Sequence, residues 1–206
     1  MTFEERCKNF YKDSVWVSLF TAIRFWTGSF VELEKLIPKQ GVILDLGCGY
    51  GILTNYLALY SKRRQMIGID IDTNKINHAG KGIENVRFSV GDATKMKLKK
   101  LDAILIHDVL HHLNSYEDQE KLIKECASML KKKGKLFIVE VDNKPLWKLI
   151  FGRLTDFLMY KGNRVFYRYK KEMLNLLERY FSKELIHTET FTNNPFPQVL
   201  YVCQKK

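Results

Sequence analysis

The chain has 206 residues, 46% of them apolar, which suits one α/β domain with a sizeable core and leaves no room for a second full domain. Its four cysteines, at 7, 48, 126 and 203, form no CxxC pair and no metal-ligand spacing; this excludes a disulfide scaffold or zinc module and points to reduced thiols in the cytoplasm. The net charge of +11 is uneven, with 16 Lys or Arg against 6 Asp or Glu in residues 121–183, a field suited to an anionic small molecule, a membrane surface or nucleic acid, or to a plain solvated lysine-rich face.

At the N-terminus the first residues mix charges, and no small-residue cleavage site follows an apolar stretch. The apolar run 15–23 is broken by Arg24, far short of the roughly 20 residues a membrane span requires. Residues 3–37 read as one or two amphipathic helices placed to act as a lid, and Pro38 with Gly41 marks the entry to a first strand. Strands are predicted at 42–46, 65–69, 86–90, 101–106 and 135–141, with helical spacing over 52–61, 73–81 and 116–132. Such alternation is the pattern of a parallel sheet covered on both faces.

Lys131-Lys132-Lys133 before Gly134 reads as a cationic last turn followed by a glycine cap. Two further helices are predicted at 145–160 and 170–181, separated by Lys161-Gly162-Asn163. Strands at 184–190 and 198–204 flank a turn-rich Asn-Asn-Pro-Phe-Pro run at 193–197 and form an antiparallel hairpin.

In an open α/β sheet, ligands bind beyond the carboxyl ends of the strands. Here those ends share one chemical theme: Asp45-Leu46-Gly47-Cys48-Gly49-Tyr50-Gly51 after the first, Asp70 after the second, Gly91-Asp92 after the third and Asp108 after the fourth. Glycines at 47, 49 and 51 let the backbone turn and approach a ligand, and the N–H groups of the following helix would receive a carboxylate. Asp70 lies 19 residues past Gly51, about where an acidic residue accepts ribose hydroxyls in this type of unit. A dinucleotide site uses the same strand-loop-helix unit, but its third glycine is replaced by Ile52. Each aspartate also has a structural alternative: Asp45 as a cap of the glycine loop, Asp70 or Asp72 as the cap of the helix at Thr73, Asp92 as the cap of a turn.

With Leu44-Asp45-Leu46-Gly47-Cys48-Gly49-Tyr50-Gly51, Gly68-Ile69-Asp70-Ile71-Asp72, Gly91-Asp92-Ala93 and Asp108-Val109-Leu110-His111-His112-Leu113, the chain resembles the class I S-adenosylmethionine-dependent methyltransferases from residue 37 to 202. The resemblance implies a Rossmann-like, seven-stranded, mostly parallel sheet with helices on both faces and its last strand antiparallel. It implies a single methyltransferase domain over 1–206, with a helical lid at 1–40, a cofactor-binding core at 41–142 and an acceptor-side insertion with the terminal hairpin at 143–206. The cofactor would be S-adenosylmethionine: Asp45, Gly47, Cys48, Gly49 and Gly51 around its methionine part, Asp70 with Ile71 at the ribose, Asp92 with Ala93 at the adenine, and Asp108 near the sulfonium.

Methyl transfer is an in-line displacement that needs alignment and exclusion of water more than many catalytic side chains. His107, His111 and His112 cluster after the fourth strand, and His111 is the candidate base, with packing in the loop as its structural alternative. His107 and His111 at i, i+4 lack a third metal ligand, so no metal is expected. Enzymes of this resemblance that methylate a base nitrogen carry Asn/Asp-Pro-Pro-Tyr/Phe after the fourth strand; here the residues are His107-Asp108-Val109-Leu110, which disfavours nucleic acid. The apolar and cationic segment 144–160 suits a helix packed on the sheet, a greasy acceptor pocket or an anionic membrane surface. Residues 142–148 and 162–168 are similar to those of small methyltransferases of lipid and polyketide pathways. The expectation is therefore methylation of a small-molecule or lipid-like acceptor at oxygen or carbon, by a cytoplasmic protein with peripheral membrane contact; the alternatives are a cofactor-binding scaffold with a basic surface and an RNA or protein methyltransferase.

Overall fold

The computed structural model describes residues 1–92, 95, 98, 100–141, 165–191, 195 and 198–206. Three helices precede the sheet: α1 (Phe3–Asn9), α2 (Val15–Thr27) and α3 (Phe30–Leu36). Thr2 and Glu5 form a reciprocal capping box at the start of α1, and Ser14 caps α2, so each of these two helices begins where its sequence satisfies the first free N–H groups. The sequence reading of one or two helices there becomes three, because Gly28 and a left-handed Ser29 turn the chain between α2 and α3.

β1 (Gly41–Leu46), α4 (Ile52–Tyr60), β2 (Arg64–Asp70), α5 (Thr73–Ala79), β3 (Val86–Val90) and β4 (Leu101–His107) then alternate, followed by a 3₁₀ turn (Leu110–His112), α6 (Tyr116–Met129) and β5 (Leu130–Val141). After these come α7 (Lys170–Leu177), a second 3₁₀ turn (Lys183–Leu185), β6 (Ile186–Phe191) and β7 (Gln198–Gln204). The sheet order is β3-β2-β1-β4-β5-β7-β6, with β7 antiparallel to both neighbours and the other pairs parallel. The fold is the Rossmann-like arrangement expected. Its order reverses between β1 and β4, the position at which open α/β sheets bind ligands beyond the carboxyl ends of their strands.

Side chains alternating along each strand supply two cores. Leu44, Leu46, Ile104 and Ile106 pack with Leu122, Cys126 and Leu177 from α6 and α7 on one face. Ile43, Ala103, Leu105 and Val139 pack with Tyr11 from the turn after α1, Leu33 of α3 and Leu57 of α4 on the other. Arg64, fully buried at the start of β2, ties α3 and α4 to the sheet: its guanidinium donates to the carbonyls of Pro38, Leu57 and Ile37 and pairs with Glu34 Oε1 at 3.0 Å. A cation here answers the unsatisfied carbonyls where α3 and α4 end.

One expectation is corrected in this region. α6 stops at Met129, and Lys131-Lys132-Lys133 belong to β5 rather than to a helix C-terminus. Lys133, not Gly134, takes the positive φ, at 64°. The sheet wins because Lys133 N–H donates to Lys205 O, Lys205 N–H donates to Gly134 O, and Lys131 Nζ sits 2.8 Å from both oxygens of Asp102. A Cβ on Gly134 would stand 2.9 Å from two carbonyl oxygens, so this glycine serves close approach, not capping. The predicted helix at 145–160 lies outside the described residues.

Candidate functional site

The carboxyl ends of β1, β2 and β4 converge on the glycine loop. Gly47 and Cys48 donate to Ile69 O at the end of β2, and Gly51 N–H closes a turn on Cys48 O. Gly51, at φ 69°, starts α4 with Phe88 and Ala79 so close that a Cβ would fall 2.6 Å from the Phe88 ring. Gly49 is different: its φ is also positive, at 56°, yet nothing lies within 4 Å of where its Cβ would stand. The loop therefore has one tight side and one open side.

Two carboxylates address this loop. Asp70 accepts Gly49 N–H at 2.8 Å on one oxygen and Asp72 N–H at 2.9 Å on the other. Asp72, by contrast, is the helix cap, taking the N–H groups of Asn74 and Lys75. Of the two aspartates the sequence offered as that cap, the structure uses Asp72. Asp45, buried at the end of β1, accepts the Thr54 hydroxyl at 2.5 Å. Burial pushes its carboxyl up to about 6, against the lowering effect of that hydrogen bond.

Cys48, half-buried in the loop, has its thiol pushed up by burial and by the nearby Asp45 and Asp70 carboxylates, and so stays neutral. Ile71, the residue after Asp70, is 77% exposed. Asp92 follows β3, with Lys95 Nζ at 3.2 Å. Ala93 lies outside the described residues.

Beyond β4 the chain is held by contacts that its local sequence does not announce. Asp108 adopts a left-handed φ of 55° and pairs with Arg24 of α2 at 2.9 Å, while Gln198 at the start of β7 donates to both of its oxygens. Arg24 also lies 2.7 Å from His107 Nδ1. Because a guanidinium only donates, that nitrogen accepts, and the ring proton sits on Nε2, which donates to Gly28 O at 2.8 Å. Burial alone would push the Asp108 carboxyl up, but the positive field around it, from the Arg24 guanidinium when His107 is in this tautomer, holds it below the usual carboxylate range.

His111 is buried in the 3₁₀ turn with Nδ1 2.5 Å from Glu140 Oε2. The other oxygen of Glu140 accepts the N–H groups of Val109 and Leu110, at 3.1 and 2.7 Å. Tyr167 stacks on the His111 ring at 5.1 Å, and Phe166 N–H donates to His111 O, so the chain returning at 165–169 closes over the turn. The helical premise of a His107 and His111 pair fails, since one ends a strand, the other sits in a 3₁₀ turn, and they bond to different partners. Among the described residues, no group of three His, Cys, Asp or Glu is placed to hold a metal.

Sequence reasoning missed Glu140, Arg24 and Gln198. Glu140 carried the same signal as the aspartates, an acid at the end of a parallel strand. Arg24 is the single charge of α2. Gln198 is joined to the site only through the hairpin and carries no local signal.

The N-terminal helices lie against the same loop. Tyr11 Oη donates to Tyr50 O at 2.8 Å and receives Asn55 Nδ2, while Phe20 packs edge-on against Tyr50.

A family model described as a methyltransferase domain matches residues 44–138. The chain is 28% identical over 136 residues to the demethylmenaquinone methyltransferase of Thermotoga maritima, covering 65% of this chain and 57% of that protein. With the ubiquinone biosynthesis O-methyltransferase of Pelagibacter ubique it shares 32% identity over 119 residues, 55% of this chain and 47% of the other. The chain spans about half the length of the curated relatives it matches. The crystal structure of PH0226 protein from Pyrococcus horikoshii OT3 superposes with a TM-score of 0.70 at 25% identity, covering 87% of this chain and 88% of that one.

Proposed function

We propose, from the premise that this chain belongs to the class I S-adenosylmethionine-dependent methyltransferases, that it methylates a small, lipid-like aromatic acceptor, at a hydroxyl oxygen in preference to carbon. The observation that carries the oxygen reading is the buried His111–Glu140 pair in the turn after β4, since a neutral hydroxyl needs a proton acceptor and an enol carbon does not. The quinone-pathway names of the two curated relatives support the lipid-like acceptor.

The residues present fit the cofactor. Gly49 offers open space beside a backbone in the left-handed region, Asp70 has lone pairs left beyond its two N–H bonds, and Asp45 is a buried carboxylate with no cation within bonding distance among the described residues. In the proposed arrangement Asp45, Gly47, Cys48, Gly49 and Gly51 hold the methionine part, and Asp70 takes the ribose hydroxyls. The apolar surface of Ile71 lies against the purine, with Asp92 and Ala93 at its edge. When bound, S-adenosylmethionine supplies a methyl group on a sulfonium, whose positive charge is lost as the methyl leaves.

Glu140 accepts the Nδ1–H of His111 and so sets the tautomer of that ring. In this proposed role His111 would receive the hydroxyl proton of the acceptor as its oxygen takes up the methyl group and the carbon–sulfur bond of the donor breaks. Asp108 acts through its ties to Arg24 and Gln198, fixing the turn that carries His111. The N-terminal segment 1–40 serves as a lid that keeps water from the crevice.

The test is release of S-adenosylhomocysteine with a panel of short-chain quinols, catechols and acyl-chain phenols, together with short RNA and peptide controls. Turnover with phenolic members alone is the expected result; turnover with RNA or peptide alone, or with none, would overturn the assignment.

A further inference from the structure

The helix α2, tied to Asp108 through Arg24, carries its large exposed apolar side chains on its outer face. Its inner side carries Val17, Thr21 and Thr27, which are buried, and Arg24, which reaches Asp108. Its outer side carries Val15, Trp16, Leu19, Ile23 and Trp26, exposed at 88, 62, 53, 44 and 68%. At 100° per residue these five fall within an arc of roughly 100°, one continuous stripe along a 13-residue helix. Val31 and Leu36 of α3 add exposed apolar surface beyond its end. A soluble helix turns such a stripe inward; here the inward side is already occupied.

We infer that the outer stripe of α2 docks on an anionic lipid bilayer and lies in the boundary between headgroups and acyl chains. Three observations favour this occupant over a second protein surface. The stripe places a tryptophan near each end with aliphatic side chains between, and indole is the side chain best suited to a medium that is apolar on one side and wet on the other. α2 holds no acidic residue, and its one cation is turned inward, so seating the stripe in lipid strips water from no charge. The whole chain carries +11, which draws it to an anionic surface and holds it there.

The consequence for the site is a short path. One helix diameter, about 10 Å, separates the lipid-facing stripe from Asp108, so a lipid-borne acceptor would reach the donor end of the crevice beside α2 without crossing water. That use of the surface rests on the lipid-like acceptor proposed above, whereas the docking itself can be measured with no acceptor present.

The chain has three tryptophans, so in a Trp147→Phe background Trp16 and Trp26 are the reporters. The protein is titrated with vesicles of phosphatidylcholine alone and of phosphatidylcholine with phosphatidylglycerol, with and without bromine on the acyl chains. The expected result is a blue-shifted emission quenched by bromine, at a lipid concentration about tenfold lower for the anionic vesicles, with that advantage lost in high salt. The double variant Leu19→Glu, Ile23→Glu should need about 100-fold more lipid while its S-adenosylhomocysteine affinity by calorimetry stays unchanged. Absence of shift and quenching with every vesicle would overturn the inference, as would equal binding by the double variant or equal binding to neutral and anionic vesicles. A dimer seen by sedimentation equilibrium that the double variant dissolves, without vesicle binding, would reassign the stripe to a second copy. Failure here leaves the acceptor assignment standing, and failure of the quinol panel leaves a positive titration standing.

Discussion

Glu140 holds His111 by its ring nitrogen at 2.5 Å and, with its other oxygen, holds the backbone of the two residues before it. One carboxylate at the end of β5 thereby fixes both the place of the 3₁₀ turn and the tautomer of the histidine on it. Glu140→Gln keeps an oxygen for the backbone N–H groups but turns an amide toward Nδ1, which can then only accept. The ring proton moves to Nε2, which should abolish the proposed proton acceptance without loss of the turn. Turnover should fall about 10²-fold, as far as in His111→Ala, with cofactor affinity near wild type. Stopped assays across pH check this, and full activity of Glu140→Gln at any pH would leave His111 with a packing role alone.

Arg24 ties α2 to Asp108 after β4. Its pair with Asp108 is partly solvent-exposed, so the strength of the tie is well below that of a fully buried pair. Arg24→Met keeps the stem but leaves Asp108 with Gln198 and His107 as its neighbours. A loss of about 1–3 kcal/mol is expected in urea unfolding, together with faster proteolysis within residues 1–40. Unchanged protease sensitivity would show that α2 is held by its apolar face alone.

These two cases also show what the sequence could and could not display. The sheet, its order of elements and the glycine loop follow from periodicity and from glycines between apolar runs, which are local signals. Glu140 was legible by the same rule that selected Asp45, Asp70, Asp92 and Asp108, since it too ends a parallel strand. Arg24 and Gln198 were not: they meet Asp108 across 84 and 90 residues, and only the packing of α2 and the placement of β7 bring them there. The Lys131–Lys133 run misled because its charge pattern fits a helix end, while pairing with the C-terminal strand outweighed that preference.

Asp70 holds the glycine loop and, in the proposed arrangement, also the ribose; substitution separates the two roles. Asp70→Asn leaves one of the N–H groups of Gly49 and Asp72 facing an amide nitrogen, which should cost about 1–3 kcal/mol of stability in the free protein. It should also weaken S-adenosylhomocysteine binding about tenfold or more. Ile71→Ala touches no hydrogen bond of the loop, so it should lower affinity and leave unfolding unchanged. Calorimetry beside urea titration distinguishes them; normal affinity in Asp70→Asn would remove the ribose contact.

Asp45 sets opposite pH dependences for folding and for binding. Its folded carboxyl is pushed up to about 6 from a usual value of 3.8, so between those values the native state binds a proton that the unfolded chain does not. Its contribution to stability therefore falls as pH rises through this window, by up to about 3 kcal/mol, and is constant above it. Asp45→Asn removes the buried charge and should raise the unfolding midpoint at pH 8 relative to wild type, with little difference at pH 4. Binding runs the other way: an ammonium beside Asp45 requires the ionised carboxylate, so cofactor affinity should rise about tenfold per unit up to pH 6 and then level off. Calorimetry at pH 5, 6 and 7 in two buffers of different protonation enthalpy measures both the affinity and the released proton. Affinity that stays level from pH 5 to 7 in wild type, and unchanged in Asp45→Asn, would mean that Asp45 holds the loop through Thr54 and meets no cation.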